Sequence, residues 1–346
     1  IGFQDQSSDK GTFYDSPLTY IALDRELGYD YDNLDTWDEG IFANSYYDDE
    51  EYLEQGVSVT LGEKVKTLSS YMFNWLPIQT LTIPASVTTI GNNVFDGCSK
   101  LTSATISSST LGSNMFKDCN NLATVTIGGT LDAINVDAFI GCSKLSTLNI
   151  SGTVGSIGDE AFDGYALTSL NISGHVGTIG ANAFKDNDKM TSFTVTGSVG
   201  TIGANAFEDS DALSTVSITG TVDKVCAYAF SDCDNVTTLS IRANVVEDYA
   251  YEDMDGLTSA TLYGATVGNG VFYDCNDLQT VVIDGGVNSI GDDAFYNCGK
   301  LSSVTFNEST NKLIIGYQPS STDDVGPFYQ SPLKYIKLDR DITYNA

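Results

Sequence analysis

Basic residues are scarce in this 346-residue chain: sixteen Lys and Arg stand against forty-six Asp and Glu, a net charge of −30. A surface so acidic repels nucleic acid and anionic lipid, both of which require cationic patches. Histidine is nearly absent, with His175 alone. No stretch approaches the roughly 18–20 apolar residues of a membrane-spanning helix, so no membrane insertion is expected. None of the seven cysteines forms a Cys-x-x-Cys pair, which argues against a structural zinc site. No signal peptide is visible in these residues either. The chain opens "IGFQDQSSDK", without an initiator Met, as a mature or excised fragment does.

What is present is a core-forming fraction of apolar residues, 41%, too high for disorder. The acid is concentrated at the front. Residues 1–56 hold fifteen Asp and Glu against Lys10 and Arg25.

The pattern Leu-x-x-φ-x-φ, with φ apolar, recurs eleven times between Ile78 and Phe306, at steps of 21 to 23 residues. Leu167-Leu170-Ile172, Met190-Phe193-Val195 and Leu213-Val216-Ile218 are successive examples. Its apolar–polar alternation is that of a half-buried strand. A coil of this size cannot bury its apolar side alone, so coils stack and share one core. Strands of successive coils then lie about 4.8 Å apart in a parallel sheet.

Each unit carries a second block, an Ile-Gly pair followed by a small residue and an aromatic one. Ile179-Gly180 precedes Ala183-Phe184, and Ile202-Gly203 precedes Ala206-Phe207. The Ile-Gly pair is read as a tight corner that uses the backbone freedom of Gly. Ala-Phe is read as a small residue and a bulky plug on a helical turn of the returning side.

"VGTIGANAFKDNDKMTSFTV" and "VNSIGDDAFYNCGKLSSVTF" resemble the treponemal-type, BspA-like class of leucine-rich repeats. The resemblance covers residues 57–306 without a break and extends to both ends. It implies a right-handed superhelical solenoid, mainly parallel β with short helical turns on the returning side, spanning residues 1–346 as one domain. It also implies a bacterial cell-surface or secreted protein of adhesion type. The chain departs from the common eukaryotic repeat, whose Asn column is here Ser86, Thr153, His175, Ser198 and Thr221. No Asn ladder is expected.

"TFYDSPLTYIALDREL" at 12–27 and "PFYQSPLKYIKLDRDI" at 327–342 match each other, so Leu18-Ile21-Leu23 and Leu333-Ile336-Leu338 are further strands. Irregular insertions occupy 24–55 and 307–327, and terminal repeats are atypical because they face water. The front copy runs on where the closing copy stops at "DITYNA", which leads us to expect further repeats beyond Ala346.

Three columns and one cluster are candidates for chemistry. Cys98, Cys119, Cys142, Cys233, Cys275 and Cys298 share one position, which other units fill with Trp75, Gly164, Asn187, Ser210 and Met254. A packing slot accepts that set and a redox or metal site does not, although adjacent-coil spacing permits disulfides. Asp186, Asp209, Asp232, Asp253 and Asp274 follow the aromatic plug by two residues in five successive units. Such a row is a candidate calcium site if its mutual repulsion recruits a hard cation, or else plain turn chemistry. On the strand face a hydroxyl stands in every unit, including Thr124, Thr147, Ser169, Ser192, Thr215 and Thr238. Tyr29, Tyr31 and Trp37 lie among acids in the first insertion, where aromatic rings either hold a ligand or cap the core.

His175 stands in a turn column of Ser and Thr, without the orienting partner a catalytic relay needs. A glycosidase-type carboxylate pair needs a cleft that a regular solenoid face does not provide. The expectation is therefore a non-enzymatic monomer without an obligatory cofactor. It contacts a host or neighbouring-cell protein or a glycan through the solenoid face and the N-terminal insertion. Alternatives are a structural spacer in a larger surface protein, a calcium-dependent scaffold, and an enzyme.

Overall fold

The structure, a computed structural model, describes residues 18–25, 27, 42, 56–135, 137–162, 167–264, 266–315 and 326–344. The chain divides into two compact units, Ile1–Ile157 and Gly158–Ala346. Each is built of coils stacked as a parallel β-solenoid.

In the first unit Thr80–Ile83, Ser103–Ile106, Thr124–Gly128 and Thr147–Ser151 pair in parallel, residue for residue as the repeat aligns them. In the second, Ser169–Ile172, Ser192–Val195 and Thr215–Ile218 do the same. A separate row there runs from Thr238–Leu239 through Ser259–Leu262, Thr280–Ile283 and Ser303–Phe306 to Tyr335–Leu338. The row breaks at Thr238–Leu239, which is cut to two residues. The alternation has its physical reason: Leu170 and Ile172 point inward and are buried, while Ser169 and Asn171 face out.

Most coils also hold a second strand, absent after Ser103–Ile106, which the alternation argument does not find. In the second unit Val176–Ile179, Val199–Ile202, Thr221–Val225 and Arg242–Val246 pair in parallel. The row continues to Ile342–Tyr344. Its longer strands bury two apolar residues three apart, as Val176 and Ile179 or Val222 and Val225 are, so period two is hidden. Leu313–Ile315 belongs to this row, so the closing insertion is part regular coil.

The Ile-Gly corner is real, but its cause differs from the expected one. Gly91, Gly180, Gly203 and Gly291 lack the left-handed φ that would favour glycine. Each instead lies against the backbone of the preceding coil. A Cβ on Gly203 would meet Gly180 C at 2.6 Å and Ala181 N at 2.8 Å.

The returning side is not helical, and no described residue lies in a helix. Most coils have two residues of left-handed φ four apart, such as Asn182 and Asp186, or Asn205 and Asp209. These end an α-helical run within one turn. They also turn amides toward the next coil: Asn205, Phe207 and Asp209 donate to the carbonyls of Ala227, Ala229 and Ser231. Between these coil-to-coil bonds, the plug rings stack. Phe42, Phe73, Phe95, Phe116 and Phe139 form one series, with centroids 5.4–5.7 Å apart. In the second unit the series runs Phe162, Phe184, Phe207, Phe230, Tyr251, Phe272, Phe295, Phe328. Full burial of each such ring is worth about 2–3 kcal/mol.

Both terminal matches are strands. Tyr20–Leu23 pairs with Ser58–Leu61, and Ile21 and Leu23 are buried. Tyr335–Leu338 pairs with Ser303–Phe306, but Ile336 and Leu338 remain 50% and 55% exposed.

Candidate functional site

The strand face presents the expected hydroxyls in register. Thr124 lies opposite Thr147, and Ser169, Ser192 and Thr215 are successive partners. Thr238 opens the separate row and pairs with Ser259, so the structure does not join it to Thr215. These side chains are half-buried to exposed. The position before them anchors the face: Thr102, Thr191, Ser214 and Thr258 donate to the main-chain carbonyls of Gln79, Thr168, Thr191 and Thr237. Tyr29, Tyr31 and Trp37 lie outside the described residues.

The cysteine column is structural. All seven cysteines are free thiols. Each column Sγ donates to the carbonyl of a plug in the preceding coil, as Cys233 does to Phe207 at 3.0 Å and Cys298 to Phe272 at 3.1 Å. Asn187 and Ser210 make the same bond to Phe162 and Phe184. In these coils the slot holds a small buried donor, and Met254 fills it by packing alone. Burial pushes the Cys298 thiol up to about 12 and raises Cys142 and Cys233 as well, so the thiolate that nucleophilic chemistry needs is suppressed. Two results are expected. Cys233→Ser keeps the fold within about 1 kcal/mol, read by urea denaturation. A disulfide reagent leaves the six column thiols of the native protein untouched, while half-buried Cys226 reacts slowly.

The aspartate column occupies the second left-handed position of each coil. Asp186, Asp209, Asp232, Asp253 and Asp274 have φ of 53–58°. Gly97, Gly141 and Asn297 fill the same position in other coils. Asn, Asp and Gly tolerate that conformation best, which accounts for the residue type. Among the described residues, no group of three or more His, Cys, Asp or Glu side chains is placed to hold a metal ion.

The carboxylates nevertheless crowd one another. Partial burial, followed by the charges of Asp232, Asp255, Asp274 and Asp234, raises Asp253 to about 6. Burial and Asp232 raise Asp209 in the same way. The folded-state value lies above the unfolded one, so this stabilisation is complete below about pH 4 and is lost as pH rises through about 6. The thermal midpoint should therefore rise when pH falls from about 7.5 to about 5.5. Asp253→Asn should gain about 1 kcal/mol at neutral pH, after discounting for solvent screening, because Asn keeps the left-handed backbone. Should millimolar calcium raise the midpoint of the parent and not of that variant, the column would instead be assigned to a cation.

His175 lies in a surface turn. Its Nδ1 is 2.8 Å from Ser198 Oγ and 3.1 Å from the Ser198 carbonyl oxygen, which ties two coils together.

A feature absent from the expectations is a row of surface tyrosines on the returning side. Tyr228, Tyr249, Tyr273, Tyr296 and Tyr329 form successive ring contacts, with centroids 5.4, 6.0, 4.7 and 5.7 Å apart. Tyr228 and Tyr249 precede the plug by two residues, and the other three follow it by one. The row therefore occupies two sequence columns, and no single column reveals it.

Comparison with known proteins agrees with the coil design. The profile described as "BspA type Leucine rich repeat region" matches in six copies, over residues 51–146, 109–237 and 201–318. No curated protein matches the chain. Among solved structures, a leucine-rich repeat protein from Bacteroides ovatus is 21% identical, with a TM-score of 0.41, covering 78% of this chain and 71% of its own. The Treponema pallidum leucine-rich repeat protein is 20% identical, with a TM-score of 0.39, covering 46% and 76%. A leucine-rich cell surface protein from Faecalibacterium prausnitzii is 18% identical, with a TM-score of 0.31, covering 82% and 84%.

Proposed function

Because the chain belongs to the BspA-type leucine-rich-repeat family, we propose that it is a non-enzymatic recognition protein, displayed on a cell surface or secreted. It binds a protein or glycan partner by adhesion to the solenoid face. The observation that carries this reading is the strand face itself. In-register polar side chains at Thr124 and Thr147, and at Ser169, Ser192 and Thr215, stand on a backbone already committed to its ladder. Such a surface offers a partner a regular set of hydroxyl donors and acceptors at little ordering cost. The N-terminal insertion, with Tyr29, Tyr31 and Trp37, is proposed as a second contact, since irregular loops on rigid scaffolds often carry function. Support for a non-catalytic role comes from the cysteines, whose column thiols are buried donors.

The test is a binding screen against immobilised matrix proteins and glycans. Hits should weaken about tenfold or more in Thr147→Lys/Ser192→Lys, or on deletion of residues 24–55. A chain that retains neither class of partner in that screen is a spacer.

A further inference from the structure

Tyrosine is an expensive choice for two positions of the surface row. Tyr228 and Tyr249 have φ of 57° and 59°, where a bulky side chain is a conformational outlier. Other coils put Asn93, Asn114, Asn182 and Asn205 at that position. The fold therefore does not need the rings. Room has also been made for one of them: a Cβ on Gly270 would lie 2.3 Å from Cε1 of Tyr249. The row is confined to the last five coils and ends at Tyr228 and Tyr329, which are 38% and 48% exposed.

The surroundings are acidic. Asp248, Glu252, Asp274 and Asp293 lie within electrostatic reach of the rings and, with burial as the leading cause, raise the phenols of Tyr228, Tyr249 and Tyr273. Between Cys226 and Cys275 eight carboxylates face one cation, Arg242, whose guanidinium sits over Tyr263, 4.8 Å from the ring centroid.

We propose that the tyrosine row and its flanking carboxylates form a docking strip for a basic protein segment bound in extended form. The chemistry selects this occupant. Three of the four ring contacts are stacked, with interplanar angles of 4°, 7° and 26°. The rings thus cover one another's faces and offer edges and phenol oxygens to solvent. A sugar needs an open ring face. Lys and Arg stems need only apolar edges to lie along, with carboxylates for their heads. Five rings at coil spacing span about 20 Å, the length of about six residues of extended chain. The inference deepens the recognition reading above and rests on it, but places a contact on the returning side.

The probe is a fluorescein-labelled hexa-arginine peptide, with hexa-glutamate as its control, followed by anisotropy at about 0.15 M salt. The parent should bind hexa-arginine and not hexa-glutamate. Tyr228→Asn/Tyr249→Asn, which restores the residue used by other coils, should bind about tenfold more weakly with an undiminished thermal midpoint. Tyr273→Ser should do likewise. Asp186→Asn/Asp188→Asn, which removes acid outside the row, should change binding less than about twofold. Equal losses from the tyrosine and the control variants would overturn the strip, as would no binding of the peptide, or glycans bound by the parent and lost in the tyrosine variants. If those variants keep a partner found in the screen above while the Thr147→Lys/Ser192→Lys variant loses it, the recognition reading stands and the strip falls.

Discussion

Phe207→Ala should cost about 4 kcal/mol of folding free energy and unravel the second unit around the altered coil. The ring is fully buried. It stacks on Phe184 at 5.1 Å and Phe230 at 4.9 Å, and leans on Phe193 at 4.9 Å. Removing it deletes one member of a series in which each ring has neighbours above and below. A globular core can shift other side chains into such a gap. A plug lying between coil-to-coil hydrogen bonds, such as those of Phe207 to Ala229 and Asp209 to Ser231, cannot close it without breaking them. Urea denaturation reads the loss. Hydrogen exchange locates it, with the amides of Val199–Ile202 and Thr221–Val225 opening before those near Thr280–Ile283. A cost under about 1 kcal/mol, or uniform loss of protection, would show that the ring series does not hold the coils together.

Gly203→Ala should cost about 3 kcal/mol, at the upper end for a single added methyl group. The atoms it would strike, Gly180 C and O and Ala181 N, at 2.6, 2.7 and 2.8 Å, are all main chain. They move only if the two coils part, which strains the bond from Gly203 N to Ile179 O, now 2.8 Å. The physical cause is separable. Asn tolerates left-handed φ, so Gly203→Asn would rescue the site if backbone conformation were the constraint. Close approach predicts that it fails as badly as Ala. Asn182, which does have a left-handed φ of 52°, should respond oppositely: Gly is nearly neutral there and Ala costs about 1 kcal/mol.

The contrast between Gly203 and Asn182 shows what was legible in the sequence. The period, the parallel pairing and the main strand row followed from alternation, because Leu170 and Ile172 bury a face that two polar neighbours leave open. The second row was hidden because Val176 and Ile179 are buried at the two ends of a four-residue strand, a spacing that alternation does not produce. Ala-Phe alone suits a helical turn, but the left-handed residues that flank it do not. The pairs Asn114 with Asp118, Asn182 with Asp186 and Asn205 with Asp209 were the available signal, since Asn and Asp recurring four apart mark two left-handed residues. The same fact accounts for the aspartate column, whose residue type answers to φ. Hydroxyl register was predictable from Thr124 to Thr147, but not the break at Thr238. The tyrosine row could not be found by aligning repeats, because Tyr249 and Tyr273 meet only in space.

The direction of the returning-side hydrogen bonds has a consequence for the charge distribution. Asn205, Phe207 and Asp209 all give their protons forward to the following coil, as do Tyr249, Tyr251 and Asp253. Amide dipoles that point the same way add up, as they do in an α-helix. Within each unit this flank is therefore a small electret, positive toward the later coils and negative toward the earlier ones, with a polarity independent of which side chains decorate it.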